Sequence, residues 1–187
     1  MSKKGTAPKR DKRSKLDLDL FVLALLRKGI DTPYRLLASA GLSPGASIPV
    51  LRRLEEAGYV RPRKPGPRGR TEYHITTAGH HYLENEWQIL LEHPVPTDTE
   101  AILRTAALAV LSGCGKGLVS AYLKKAAAAK ASDSKRRQTD AKRAEASLSG
   151  DSGANLYRWL RATHATARLR AEGQVLRKLA AEITRRI

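Results

Sequence analysis

The stretch "SPGASIPVLRRLEEAGYVRP", residues 43–62, decides the fold. Ser43-Pro44 is a start signal: a capping residue, then a proline whose fixed φ suits the first helical position and whose missing N–H is not needed there. Leu51 and Leu54, together with Val50 or Ala57, are spaced to face a core. Gly58 is the expected C-terminal stop with positive φ. The spacing therefore predicts a helix over about residues 43–57. Pro49 falls inside it, where its ring crowds the Gly45 carbonyl; glycine adds no side chain to that crowding, so a local bend is tolerable. On this reading Ser43 to Ile48 form a leading end and Leu51 to Ala57 an anchored end.

Upstream, "LDLDLFVLALLRKG" (16–29) places Leu18, Phe21, Val22, Leu25 and Leu26 at helical spacing and closes on Gly29. "DTPYRLLASAG" (31–41) offers Thr32 as N-cap, Pro33 at the first position and Gly41 as the stop of a helix of about two turns. Downstream, Tyr59 to Lys64 reads as a strand and Pro65 to Gly69 as a turn that continues neither helix nor sheet. Arg70 to Thr76 reads as the returning strand. Thr76 or Thr77 then caps a fourth helix that stops before Pro94-Val95-Pro96. Helix, helix, helix, strand, loop, strand, helix is the order of a winged helix-turn-helix.

Beyond the prolines the sequence is helical throughout. "TDTEAILRTAALAVLSG" has Thr97 or Thr99 as cap, and "GLVSAYLKKAAAAKA" runs on into the charged "SDSKRRQTDAKRAEASL". Ser149 to Gly153 is a loop, and a long last helix follows. There Leu169, Leu176 and Ile183 repeat every seven residues, with Leu179 between the last two. Such a seam suits pairing with another helix, in the same chain or a second one; an ordinary core helix fits equally. The expected fold is mainly α. A flexible basic tail (1–15) precedes a winged helix-turn-helix of three helices and a two-stranded wing (16–93), and an all-helical C-terminal region (97–187) follows.

The 187 residues carry 35 Lys+Arg against 18 Asp+Glu, a net charge of +17. That excess repels itself in a compact chain, and a polyanion relieves it: nucleic acid first, an anionic membrane surface second. With 41% hydrophobic residues a packed core is affordable, whereas 5% aromatics and an alanine- and leucine-rich second half favour helix over sheet. Cys114 is the only cysteine, so no intrachain disulfide can form and a reducing cytoplasm fits best. The apolar run Leu20 to Leu26 is too short to span a bilayer.

Three stretches together carry a family resemblance: "DLFVLALLRKGIDTPYRLL", "SPGASIPVLRRLEEAGYVRP" and "GRTEYHITTAGHHYL". In this order and spacing, over roughly residues 18–86, the chain resembles the PadR-family transcriptional regulators. The third stretch is similar to that family's wing strand followed by a Thr-x-Ala-Gly helix start; "NLYRWLRATHATARLRAEGQVLRKL" is more loosely similar to its last helix. The resemblance implies a dimeric DNA-binding regulator whose C-terminal helices make the subunit contact. It also implies a cavity near that contact which, in some members, accepts a small aromatic effector. One position departs: Ile48 stands where the family usually carries tyrosine ahead of the proline, a residue that often lies at the DNA face.

In a winged helix-turn-helix the third helix enters the major groove, its N-terminal part nearest the bases. That places Ser43, Ala46, Ser47 and Ile48 at the leading end. Ser47 is there for a hydrogen bond, and Ala46 or Ile48 for a thymine methyl. Arg52 and Arg53 supply charge to phosphates a turn or more back. Arg61, Arg63, Lys64, Arg68 and Arg70 make the wing a phosphate grip, with Arg68 best placed to enter a minor groove. Trp87 and Trp159 can flank an effector pocket, and plain core or interface packing accounts for them as well.

Chemical signals are absent or fail. "SGCGKGLVS" (112–120) is not a phosphate-binding P-loop, because Val110 and Gly117 stand where a glycine and a Ser or Thr are needed. His80 and His81 point about 100° apart on a helix and do not chelate one ion; His74, His93 and His164 are isolated. No catalytic residue, metal or cofactor is expected, and the chain does not read as an enzyme. The reading set against a specific regulator is a winged-helix module that binds nucleic acid without sequence preference or binds proteins.

Overall fold

The computed structural model describes residues 10–63, 71–148 and 153–186. Seven helices and one hairpin occur among them: α1 (Arg10–Arg27), α2 (Pro33–Ala40), α3 (Pro44–Glu56), β1 (Val60–Pro62), β2 (Tyr73–Ile75), α4 (Thr77–Glu92), α5 (Thr99–Leu111), α6 (Lys116–Ala146) and α7 (Gly153–Arg186). The order is that of a winged helix-turn-helix followed by a helical region. Contacts divide the chain into two compact units, residues 1–94 with 103–114, and residues 95–102 with 115–187.

In the first unit α1 is the central element. Every residue from Leu20 to Leu26 is buried, so this helix is packed on all sides rather than along one stripe. It touches α3, α4 and β2, and the later part of α5 belongs to the same unit. The sequence placed the domain boundary at the Pro94–Pro96 break, but residues 103–114 pack with the winged unit: Leu108 joins its core, and Arg104 and Leu111 bind α1 side chains. Helix α1 also starts at Arg10, inside the segment read as a flexible tail.

The caps follow the physics of helix ends. Thr32 Oγ1 accepts the Arg35 N–H at 3.1 Å, and Gly41 closes α2 at φ 66°, with its N–H bonded to Leu37 O and that of Leu42 to Leu36 O. Thr76 caps α4, accepting the Gly79 N–H and donating to Gly58 O at 2.8 Å. The cap of α5 is Asp98, whose carboxylate accepts from the Glu100 and Ala101 amides, rather than Thr97 or Thr99. Both strands are shorter than expected, three residues each, paired antiparallel with Val60 opposite Ile75 and Arg61 opposite His74.

Gly79 shows why the "TTAG" start matters. A Cβ there would overlap the Tyr59 carbonyl oxygen and come within 2.8 Å of the Ile75 side chain, so only glycine lets α4 lie against the root of the wing. The neighbouring rings of Tyr59 and Tyr82 stack at 4.3 Å. Gly79→Ala is expected to destabilise the first unit by about 1–3 kcal/mol, as overpacking does. An unchanged midpoint in denaturant would rule out this account of the close approach.

The second unit is built on the antiparallel hairpin of α6 and α7. The question of a pairing partner for α7 is answered within the chain, since α6 covers it along its length. Of the expected seam, Leu176 is buried and Leu169 and Ile183 are half-buried. A second row, Thr166, Gly173 and Ala180, is buried beside it, and its small side chains bring the backbones close. Thus a Cβ on Gly173 would sit 3.3 Å from Ala127 O, Ser120 Oγ donates to Ala180 O at 3.0 Å and Ser134 Oγ to Thr166 O at 3.1 Å. Within this seam Lys130, nearly fully buried, donates to Thr97 O (2.8 Å), Thr99 Oγ1 (2.9 Å) and Glu172 Oε2 (2.6 Å).

Candidate nucleic-acid interface

Helix α3 is amphipathic about a sharp divide. Ser47, Val50, Leu51 and Leu54 are buried, whereas Ser43, Pro44, Gly45, Ile48, Pro49 and Arg52 face solvent; Ala46 is half-buried. The helix runs without interruption through Pro49. The Gly45 carbonyl that loses its amide partner lies on the exposed side, where solvent serves it, so the proline costs little there. Gly58 adopts φ 75° and turns the chain into the wing.

Two of the side chains expected at DNA take other positions. Ser47 is fully buried and its Oγ donates to Ser43 O at 3.1 Å, so it braces the first turn and does not reach a base edge. A serine hydroxyl on a helix readily bonds back four residues, and here the core side of the helix leaves it no other partner. Arg53 turns inward: its Nη2 lies 2.5 Å from Asp19 Oδ1, clamping α3 onto α1. Burial pushes the Asp19 carboxyl above its ordinary value, and the hydrogen bond and charge of Arg53 offset only part of that.

The same α1 segment holds a second inward pair. Asp17, buried, accepts from Arg104 Nε at 3.1 Å, and Arg27 Nη2 donates to Leu111 O at 3.0 Å. Sequence reading missed both pairs, although "LDLDL" carries a signal for them: acids alternating with leucines inside an otherwise apolar helix need cationic partners. Both acids are thereby turned inward and held by cations of the same unit, so neither adds negative charge to its outer face.

On the wing, Arg61 and His74 face each other on the exposed side of the ribbon, while Val60 is buried against the core. Arg63 is exposed and 3.7 Å from Glu72, a surface pair of little strength. The wing is moored by Tyr73 N–H to Asp31 O (2.8 Å) and Thr76 N–H to Tyr59 O (2.9 Å). Lys64, Arg68 and Arg70 lie outside the described residues. The exposed cations that can meet an anion from α3 and the described wing are therefore Arg52, Arg61 and Arg63. At the far end of α3 Glu55 and Glu56 are exposed, so the N-terminal part of this helix is the end an anion prefers.

The tryptophans fall in different units. Trp87 packs against the core of the first. Trp159, half-buried, lines a groove of about 370 Å³ between α6 and α7 with Ala141, Thr163 and Thr166. Burial raises the Cys114 thiol above its ordinary value, which disfavours the thiolate. Among the described residues no group of three His, Cys, Asp or Glu side chains is placed to hold a metal, and no helix is long and apolar enough to cross a membrane.

No protein-family profile and no curated protein matches the chain. Among solved structures it is similar to the crystal structure of Bacillus subtilis PadR in complex with operator DNA, at 20% identity over 89% of this chain and 98% of that one, with a TM-score of 0.37. It is also similar to the structure of Bacillus subtilis PadR in complex with p-coumaric acid, at 21% identity over 90% of this chain and 99% of that one, with a TM-score of 0.38.

Proposed function

We propose that this chain is a PadR-like DNA-binding transcriptional regulator of the cytoplasm, not an enzyme, acting as a homodimeric repressor on a near-palindromic operator. The observation that carries the reading is the division of α3: its inner face is fixed to the core by Val50, Leu51 and Leu54, and its outer face leaves Gly45, Ile48 and Arg52 clear for a groove. Ala46 and Ile48 offer methyl groups to thymine, Arg52 reaches phosphate, and Arg61 and Arg63 grip the backbone beside it. Lys64, Arg68 and Arg70 extend that grip. Two such helices about a two-fold axis meet major grooves roughly one turn, ~34 Å, apart.

The dimer contact falls on α7. Leu156 and Leu160, one turn apart, remain about half exposed (48% and 50%), an apolar strip that a second copy buries. A small aromatic effector, seated by the groove at Trp159, releases the DNA. Leu160→Glu is expected to shift the solution mass from dimer to monomer; a mass unaffected by that change places the contact elsewhere.

Replacing Arg61 and Arg63 with Ala is expected to weaken binding to all sequences alike, whereas Ile48→Ala changes the ranking among sequences by about 1–3 kcal/mol at one base step. Gel-shift titration against the upstream region of its own gene and against random DNA measures both. A second reading, sequence-neutral binding, is favoured by the burial of Ser47, which leaves few hydrogen-bonding groups on the outer face of α3. A specificity ratio near one supports it, and a ratio of ~10³ or more supports the regulator.

A further inference from the structure

Away from the winged unit, the loop end of the α6–α7 hairpin carries a second concentration of positive charge. A groove of about 910 Å³ opens there between the helices, with Arg137, Arg143, Arg158, Arg161, His164 and Arg168 around it. Asp140 is the one carboxylate on its wall, and Arg137 already stands 3.9 Å from it. Arg168 is drawn toward Glu172 at 3.7 Å. Arg143, Arg158 and Arg161 have no ion-pair partner among the described residues. They reach the groove from both helices, and a tyrosine lies among them: Tyr157 is 62% exposed, and the Arg161 guanidinium sits 5.7 Å from the centre of its ring.

We propose that this groove binds a nucleotide, a phosphate-bearing ligand with a planar ring. Guanidinium forks match phosphate oxygens two at a time, and three of them without carboxylates form a receptor for a multiply charged group rather than a solvated helix face. The volume is far beyond what one inorganic phosphate fills and lies in the range of small-molecule sites. Tyr157 supplies a flat, exposed surface on which a base stacks, the pairing of aromatic ring and basic groove that single nucleotides and single strands share. A second copy of the chain is disfavoured as the occupant, because a two-fold contact through this face sets arginine against arginine. A duplex does not enter a cleft between helices packed ~8–10 Å apart. The ligand is either a free nucleotide or one unit of a single strand.

The test uses the full chain and isothermal titration calorimetry with two probes, ATP without magnesium and a ten-residue oligothymidylate. Arg158→Ala/Arg161→Ala is compared with wild type, with Arg143→Ala, and with Arg61→Ala/Arg63→Ala in the wing; all these side chains are exposed, and circular dichroism checks the fold. ATP affinity is expected to fall at least about 10-fold in the Arg158/Arg161 variant, as loss of two charge-assisted contacts requires, to fall less in Arg143→Ala, and to stay unchanged in the wing variant. ATP binding as tight as oligothymidylate identifies a free nucleotide as the ligand; oligothymidylate tighter by about 10-fold or more, and weakened by the same hairpin changes, identifies a strand. No binding of either probe, binding equal in wild type and the Arg158/Arg161 variant, or loss confined to the wing variant overturns the proposal. Since the wing variant alone reports on the winged unit, failure here leaves the DNA-binding reading standing, and failure of that reading leaves this one.

Discussion

Affinity for duplex DNA is expected to fall by about 10³–10⁵ between 50 and 200 mM salt, the response when about six to ten phosphates are neutralised. Arg52, Arg61 and Arg63 are exposed, so the proposed dimer would bring six described cations to the DNA, the lower end of that range. Lys64, Arg68 and Arg70 raise the number if the wing tip also makes contact. Each lost contact flattens the slope of log affinity against log salt by about 0.9, so Arg61→Ala/Arg63→Ala in both chains flattens it by about 3–4. Arg53→Ala behaves differently. Its guanidinium is held by Asp19, so the change lowers stability of the winged unit and leaves the salt slope nearly as in wild type. A flat salt dependence for wild type, or a slope change for Arg53 matching that for Arg61, would sink the proposed docking.

The second large effect concerns the second unit. Glu172→Gln is expected to cost about 3–5 kcal/mol, the range for stranding a buried charge. The Lys130 side chain is 4% exposed, and with glutamine at position 172 its ammonium has only neutral oxygens left, those of Thr97, Thr99 and the side-chain amide, and no counter-charge. Lys130→Met should cost less: methionine fills the stem's volume, and Glu172, 24% exposed, keeps solvent and Arg168. The double variant should therefore be more stable than the sum of the two losses, a coupling that a double-mutant cycle measures. Trp159 fluorescence in a Trp87→Phe background follows this unit in urea. Equal and additive losses would show that the pair is not acting as a unit.

The same pair sets an acid limit. Burial pushes the Glu172 carboxyl up, but hydrogen bonds from Lys130 and Thr99 and the charges of Lys130 and Arg168 outweigh it, leaving it below the ordinary value. A carboxyl with a depressed folded value contributes stability that is complete above its unfolded value, near 4.5, and is lost as pH falls through the folded one. Urea midpoints of the second unit are expected to hold from neutral pH to about 5 and to drop below it, and Glu172→Gln should remove that part of the drop.

Much of the fold was legible because it rests on local chemistry. Cap-then-proline at Thr32-Pro33, glycine stops at Gly41 and Gly58, and the cap at Thr76 act within a few residues and stand where the sequence placed them; Pro44 likewise opens α3, although the Ser43 side chain makes no capping hydrogen bond. Leu51 and Leu54 were core positions by spacing alone, and they are buried. The C-terminal seam was legible in part: Leu176 was found, but the row of Thr166, Gly173 and Ala180 was not, because small side chains give no hydrophobic periodicity.

By itself the sequence determined the ends of α2, α3 and α4, the presence of a wing and the positive excess, since caps, turns and net charge need no distant partner. Tertiary structure decided the rest. It decided that Ser47 faces inward, that Arg53 answers to Asp19 and Arg104 to Asp17, and that most of α5 belongs with the winged unit. It also decided that α7 finds α6 of its own chain. The reason is one of range. A residue's spacing fixes which side of its own helix it occupies, but only the neighbouring helices fix whether that side meets solvent, a carboxylate or a core.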